Sequence, residues 1–473
     1  MYINGGWSAT KETIEVKHPG TGELFRRVET VGKEETNQAI EAAHQAFVKW
    51  SKIPAINRAE VLERIASKIL EKQEELAQVI SSETGKPITL SRGEVKKSGE
   101  YFKWFAEEAR RVYGETITSP ITNKRLMAIK QPVGVVAVIT PWNFPLLMMA
   151  RKVATALAAG CTVVVRPSSE SPCIAVELFR IFDECELPTG VANLVIGNAN
   201  EISNVILENN KVRKITFTGS TEVGKHLMRG AADSIKRVSL ELGGHAPFIV
   251  FEDADLELAV ENAVYLKYRQ AGQVCVCANR FYIHDSIYDE FERLFVQKVS
   301  ELKVGLGLDE ESIIGPVINE RAISGIQDQV DDAVQKGAKV LYGGHRLNDG
   351  EYAKGSYYCP TVLSDVTEDM KIVHEETFGP VAPLMRFHSE EEVLQKANNT
   401  EYGLASYFYT NDLSRVYRVS EQLEYGIVGV NDSSTSIVES PFGGVKESGV
   451  GREGGHGIEE FLETKFISIR INE

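Results

Sequence analysis

The residues with most chemical potential lie in Arg269-Gln270-Ala271-Gly272-Gln273-Val274-Cys275-Val276-Cys277. A helical run from Leu256 to Tyr268 precedes them, a strand-like run from Phe281 to His284 follows, and Gly272 breaks the helical pattern just before Cys275. A thiol on a loop between two regular elements is presented to a ligand, which is where a thiolate nucleophile belongs. The competing reading is a small buried hydrophobe, the usual state of a free cysteine. Cys275 and Cys277 also have the spacing of two metal ligands, but the second Cys or His pair of a closed zinc site is lacking and His284 alone does not supply it, so no metal is expected.

Three more groups stand at the ends of strand-like runs. Pro141-Trp142-Asn143-Phe144-Pro145 follows the apolar run Val133 to Ile139. Ligands of parallel α/β folds bind outside the carboxyl ends of strands, and Asn143 there can donate its amide to a developing oxyanion. It can equally brace a rigid turn by bonding its own backbone. Glu241, before Gly243-Gly244, is placed to act as a general base or to be an ion-paired acid. Gly219-Ser220-Thr221-Glu222-Val223-Gly224-Lys225 follows a strand and opens a helix, the arrangement that binds phosphate through backbone N–H groups. It nearly fits a P-loop, with Phe248 to Asp253 passing for the acid-ended strand of an NTPase. His226 stands where the Mg²⁺-binding hydroxyl is required, which counts against that reading. His374-Glu375-Glu376-Thr377-Phe378 is not a zinc His-Glu-x-x-His helix, and there is no Gly-x-Ser-x-Gly elbow.

The elements that hold these groups follow from the apolar periodicity. A chain of 473 residues exceeds one ordinary core, so two or three domains are expected. Lys33 to Tyr113 reads as helical scaffold, with Ala39, Ala43, Phe47 and Trp50 and then Val61, Ile65 and Ile69 at helical spacing, and a stop at Thr84-Gly85-Lys86-Pro87. From Pro132 strands and helices alternate, ending in the strand Lys214 to Thr218 and a helix from Ser220, which predicts a parallel, Rossmann-like sheet. After Glu241 a second α/β region begins. Arg125 to Lys130 reads as a hairpin strand or as an arm that pairs with another subunit, and Glu463 to Ile471 as an edge strand and candidate partner for it. The net charge of −15, from 52 basic and 67 acidic residues, argues against nucleic-acid or membrane-surface binding. No secretory signal and no membrane span is read, and six sparse cysteines point to free thiols in a reducing cytoplasm.

Together, Pro141 to Pro145, Phe217-Thr218-Gly219-Ser220, Leu240 to Gly244, Gly272-Gln273-Val274-Cys275, Glu375 to Pro380 and Pro441-Phe442-Gly443-Gly444 resemble the aldehyde dehydrogenase superfamily over essentially the whole chain. Cys275-Val276-Cys277-Ala278-Asn279-Arg280 looks most like its succinate-semialdehyde dehydrogenases. The resemblance implies an α/β protein with a Rossmann-like cofactor domain (1–113 and 130–240), a second α/β catalytic domain (241–447), and a small β oligomerisation arm with the C-terminal segment (114–129 and 448–473). It implies Cys275 as nucleophile, the Asn143 amide and the Cys275 N–H as oxyanion donors, and Glu241 as the base that activates water. The cofactor would lie against Thr140, Trp142, Gly219 and Ser220, with Glu376 on the nicotinamide ribose and Phe378 nearby. Where NAD-preferring members carry Lys-Pro-x-Glu, this chain has Arg166-Pro167-Ser168-Ser169. Ser169 removes the acid that repels a 2′-phosphate and Arg166 keeps a cation, so NADP is expected alongside NAD and slightly favoured. Arg151, Arg269 and Ser436 match the family's anchors for a substrate carboxylate, although both arginines can instead be ion-paired structure. Gln270 and His245 depart from the usual residues beside the site and leave the exact aldehyde open. Lactaldehyde, glycolaldehyde or aliphatic aldehydes are the alternatives to succinate semialdehyde; joint retention of Cys275, Glu241 and Asn143 argues against a non-catalytic scaffold, and Glu241, available to activate water, against a CoA-acylating enzyme. A cytoplasmic homodimer or homotetramer is expected, with a strained, reversible Cys275–Cys277 disulfide as a candidate redox switch.

Overall fold

The structure is a computed structural model that describes residues 1–10 and 12–472. Its centre is the strand Val135–Ile139, five successive apolar residues that are all buried. Such a run suits a parallel strand covered on both faces. It pairs in parallel with Thr162–Arg166 on one side and Val212–Thr218 on the other; Ala192–Leu194 and Arg237–Glu241 extend the parallel set outward. In chain order these five strands lie 3-2-1-4-5, so the order reverses between Val135–Ile139 and Val212–Thr218. A crevice opens at the carboxyl ends of strands at such a reversal. The antiparallel pair Tyr2–Ile3 and Gly6–Trp7 closes one edge of this sheet, and Gly449–Val450, also antiparallel, the other. The segment after residue 448 therefore completes the first sheet before it continues outward.

The helix Pro145–Ala159 starts in that crevice and is buried along all 15 of its residues, including Arg151 and Lys152. It is sealed from solvent by Ala55–Glu71 and Ile88–Ala109, whose apolar stripes join one core with it. The stop expected at Thr84 to Pro87 is a break between two helices, Gln73–Thr84 and Ile88–Ala109, with Gly85 in the left-handed region at φ 73°.

A second, seven-stranded sheet has its own core. Its order is Lys339–Tyr342, Thr361–Ser364, Val381–Phe387, Ala278–His284, Ala246–Val250, Ala405–Tyr409 and Ile427–Val430, and only the Lys339–Tyr342 edge is antiparallel. The chain passes from the carboxyl end of Arg237–Glu241 through Gly243 and Gly244 into the amino end of Ala246–Val250. The amino edge of the second sheet thus faces the carboxyl edge of the first, and the partly buried Phe144 packs against both cores. A third sheet stands apart: Leu462–Arg470 pairs antiparallel with Lys124–Pro132 along nine residues, and Glu115–Ile117 pairs with the other side of Lys124–Pro132.

Candidate active site

Cys275 lies where the two sheet edges meet. The approach to it is strained. Gln270 (φ 51°, ψ 35°), Ala271 (φ 55°, ψ 32°) and Gly272 (φ 73°) are successive left-handed residues. Non-glycine residues hold that conformation only where neighbours enforce it. The Gln270 side-chain amide donates to the Asn143 carbonyl, the Gln273 amide donates to Gln270 O (3.1 Å), Gln273 Oε1 accepts from Ile318 N (2.9 Å), and the Tyr407 hydroxyl donates to Val276 O (2.9 Å). Gly272 is required by close approach as well as by φ, since a methyl there would overlap the Gly379 carbonyl.

The half-buried Cys275 faces a cavity of about 310 Å³ that Arg151, Arg269, Gln270 and Ser436 also line. Its thiol is pushed up to about 12, first by burial and then by the Glu376 carboxylate, with Arg151 opposing. The resting group is consequently a protonated thiol, whereas the resemblance implies a thiolate at the moment of attack; a base must take the proton. Glu241 is nearly fully buried, one carboxyl oxygen has no hydrogen-bond partner, and burial together with the nearby Glu453 carboxylate holds its pKa well above the usual range. A carboxylate so raised is a stronger proton acceptor than an exposed one.

Asn143 braces its own turn and presents its amide nitrogen to the cysteine loop. Its Oδ1 accepts from Phe144 N (3.1 Å), which turns the amide nitrogen toward the cysteine loop, where Nδ2 donates to Gln273 O (3.1 Å). The second amide hydrogen remains for an oxyanion.

The two arginines differ. Arg151 is 1% exposed, donates to Glu453 Oε2 at 3.4 Å, and stacks on Tyr101 and Phe442, so it serves as ion-paired structure and as cavity wall. Lys152 shares the same Glu453 carboxylate. Arg269 has no carboxylate partner among the described residues; it lies over the Tyr265 ring, donates to the Tyr265 hydroxyl (3.1 Å), and keeps a buried Nε with no partner. Gln270 does border the cavity, but His245 does not. His245 is fully buried with Nε2 against Val373 O (2.8 Å) and is held neutral by burial and by Arg280. Sequence reasoning missed Lys97, which lines the cavity and donates to the Ser436 carbonyl. The available signal was the helical face shared by Leu90, Gly93, Glu94 and Lys97.

On the crevice side, Thr140 is buried with an unpartnered hydroxyl, and Trp142 meets Phe378 edge-to-face at 5.6 Å. Ser220 caps the helix Thr221–Ala232 directly after Gly219, so first-turn N–H groups face the crevice. Arg166 donates to Ser169 Oγ (3.2 Å) and keeps a buried, unpartnered Nε, while the adjacent Glu170 carboxylate accepts from Asn319 instead. Glu376 accepts from Gly244 N (3.1 Å), and burial pushes its carboxyl up to about 7. Orphaned donors beside a helix N-terminus at a strand-order reversal fit a dinucleotide. The P-loop reading fails on two counts. Lys225 is paired with Glu447 (2.5 Å), and the strands Val212–Thr218 and Ala246–Val250 belong to different sheets.

Cys277 is fully buried, with its sulfur toward Lys267 O (3.7 Å) and Ala278 O (3.6 Å), and both Cys275 and Cys277 are free thiols. Joining them requires residues 275–277 to leave these contacts. Among the described residues no three His, Cys, Asp or Glu side chains cluster as a metal site, and no helix is long and apolar enough to cross a membrane.

A dinucleotide-dependent oxidoreductase is the class that this crevice, with a thiol beside it, defines. The sequence model described as aldehyde dehydrogenase family matches residues 7–467. A 3-sulfolactaldehyde dehydrogenase of Pseudomonas putida is 49% identical, covering 99% of this chain and 96% of its own. An NADP(+) succinate-semialdehyde dehydrogenase of Escherichia coli is 48% identical, with coverages of 99% and 97%. The crystal structure of a succinate-semialdehyde dehydrogenase from Burkholderia pseudomallei superposes with a TM-score of 0.97 at 46% identity, with coverages of 99% and 97%. The chain belongs to the aldehyde dehydrogenase family.

Proposed function

We propose that the protein oxidises an aldehyde bearing a terminal carboxylate, succinate semialdehyde as the representative, to the corresponding acid with NADP or NAD. The observation that carries this reading is the unpaired Arg269 guanidinium in the same cavity as the Cys275 thiol. Glu241 takes the thiol proton as Cys275 Sγ bonds to the aldehyde carbon. Asn143 Nδ2 and the Cys275 N–H hold the oxygen that becomes negative. The nicotinamide, when bound, supplies the hydride acceptor. Cys275 is left as a thioester and Glu241 gives up its first proton to solvent; it then takes a proton from water as the water oxygen bonds to the acyl carbon, the C–S bond breaks, and the departing Cys275 sulfur recovers that proton from Glu241. Arg166 and Ser169 receive a 2′-phosphate, Thr140, Trp142, Gly219 and Ser220 bind the rest of the dinucleotide, and Glu376 and Phe378 meet its nicotinamide end. Residues 1–113 and 130–240 act as cofactor domain and 241–447 as catalytic domain. The three-stranded sheet joins copies into a homodimer or homotetramer, and the six free cysteines suit a reducing cytoplasm.

Steady-state oxidation of succinate semialdehyde and of neutral butanal tests the reading. Arg269→Ala is expected to lower the ratio of kcat/KM for the two aldehydes about 10- to 100-fold, the span of one charged hydrogen bond. An equal fall for both aldehydes would remove the carboxylate from the proposal, and turnover that survives Cys275→Ala would remove the mechanism.

A further inference from the structure

The cavity beside Cys275 carries more positive charge than its acids neutralise. Arg151 is matched by Glu453. Glu94 also borders the cavity, but its carboxylate is fully engaged: it pairs with buried Lys86 and accepts from the Leu146 and Leu147 N–H groups. Arg269 and Lys97 remain without a carboxylate partner among the described residues. Lys97 stands one turn after Glu94 on the helix Ile88–Ala109, so its side chain emerges on the same face. Its ammonium donates to the carbonyl of Ser436, and an ammonium has three hydrogens, so two are left for another acceptor. Burial lowers the Lys97 pKa, and the Arg151 and Arg269 cations lower it further, while Glu100 and Glu439 oppose without forming an ion pair. Like charges crowded around one cavity lack a counter-ion that the protein does not itself provide, and a partly dehydrated ammonium binds an anion more strongly than one in bulk water.

We infer that Lys97 is a specificity-determining residue which, together with Arg269, receives the terminal oxyanion of the substrate. The inference rests on the aldehyde-oxidation reading for the identity of that substrate. The chemistry recognised is a terminal oxyanion, carboxylate or sulfonate, because an ammonium acts as a point charge whereas the planar Arg269 fork adds directionality. Lys97 also fastens the chain at Ser436, so anion recognition and loop position are coupled through one side chain.

Binding and turnover separate this inference from the reading beneath it. Calorimetry with succinate as probe, on protein carrying Cys275→Ala, is expected to give an affinity that falls about 10- to 100-fold on adding Lys97→Met and is largely restored by Lys97→Arg. In enzyme with Cys275 intact, Lys97→Met lowers the succinate semialdehyde to butanal ratio of kcat/KM through KM. Unchanged succinate affinity in Lys97→Met, or no succinate binding to the Lys97-bearing protein, overturns the inference. So does an equal loss for both aldehydes that Lys97→Arg leaves in place, since that is the mark of a structural prop. Thermal melting identifies any misfolded variant, and Lys97→Gln then replaces Lys97→Met. Failure of the wild type to oxidise either aldehyde instead refutes the aldehyde-oxidation reading, while the binding experiment still decides the role of Lys97.

Discussion

At the scale of single residues, the thiol is the group most displaced from its ordinary chemistry. With Cys275 pushed up to about 12, chiefly by burial, the thiol rests protonated at pH 7. Alkylation of the cofactor-free enzyme by iodoacetamide, corrected with Cys275→Ser, is expected to accelerate about tenfold per pH unit from 7 to 10. Glu376→Gln removes the carboxylate that ranks next to burial in raising this thiol, so it is expected to speed alkylation at any fixed pH. A plateau below pH 9 in the wild type would contradict the buried-thiol account. Glu241, as the proposed base, sets the acid limb of the activity profile. It works as a carboxylate and its pKa is raised, so kcat/KM is expected to fall as pH drops through a value above the ordinary 4.5, and to lose that limb in Glu241→Gln along with most of the rate. At the far end of the crevice, Ser169→Glu places an acid beside Arg166. NADP is then expected to lose about 10- to 100-fold in KM relative to NAD, the cost of opposing a phosphate with a carboxylate, and an unchanged ratio would take the 2′-phosphate away from this corner.

At the scale of elements, two buried glutamates set the helices on which the site depends. Glu94 accepts from Leu146 N (3.0 Å) and Leu147 N (3.1 Å) at the start of Pro145–Ala159, and Glu83 does the same for Cys173 N (2.8 Å) and Ile174 N (3.1 Å) at the start of Cys173–Glu184. First-turn N–H groups of a buried helix need such acceptors. Glu94→Ala orphans both N–H groups and leaves Lys86 charged and buried without a partner, a loss of about 3–5 kcal/mol, or roughly 6–20 °C in Tm. Glu94→Gln keeps an acceptor and is expected to lose less; equal melting of the two variants would show that the cap is unimportant. Neither glutamate could be assigned this task from the sequence, because its partners lie 52 and more residues away. The same limit separates what was legible from what was not. Leu256–Tyr268 carries its own apolar periodicity and is legible to the residue, and the alternation of strands and helices after Pro132 is legible as a pattern. Thr361–Ser364, Val381–Phe387, Ala405–Tyr409 and Ile427–Val430 span 4 to 7 residues, become strands by pairing with distant partners, and were not read. The left-handed turn at Gln270 and Ala271 has no glycine to announce it, since tertiary hydrogen bonds impose it. Lys97 escaped because a lysine on a helix is ordinarily a solvated charge, and only the packing of Ile88–Ala109 against Pro145–Ala159 brings it to the cavity.

At the scale of the molecule, the three-stranded sheet is the part whose surface the chain itself leaves uncovered. Leu462–Arg470 is its outer strand, nine residues long, with its far edge unpaired within the described chain. Long flat edges with apolar side chains are rare on monomers because they template association. Phe466 is 60% exposed, and Ile117, Ile469 and Ile471 extend the apolar surface nearby. The strand exposes Lys465 and Arg470 between its apolar side chains, while Lys130 beside it is paired with Glu459 at 2.7 Å. A second copy of the chain, presenting the same edge, would satisfy the free N–H and C=O groups and cover Phe466 by one symmetric operation, which is the contact proposed for this strand. Light scattering on the wild type is therefore expected to give a mass of two or four times 52.4 kDa. Phe466→Glu places like charges against each other across the shared edge and buries them without a partner, so the mass is expected to fall toward that of one chain at micromolar concentration, with the secondary structure retained by circular dichroism. A wild type that is monomeric at that concentration, or a Phe466→Glu variant whose mass does not change, would place the contact between copies elsewhere on the surface and leave the strand to be covered by some other means.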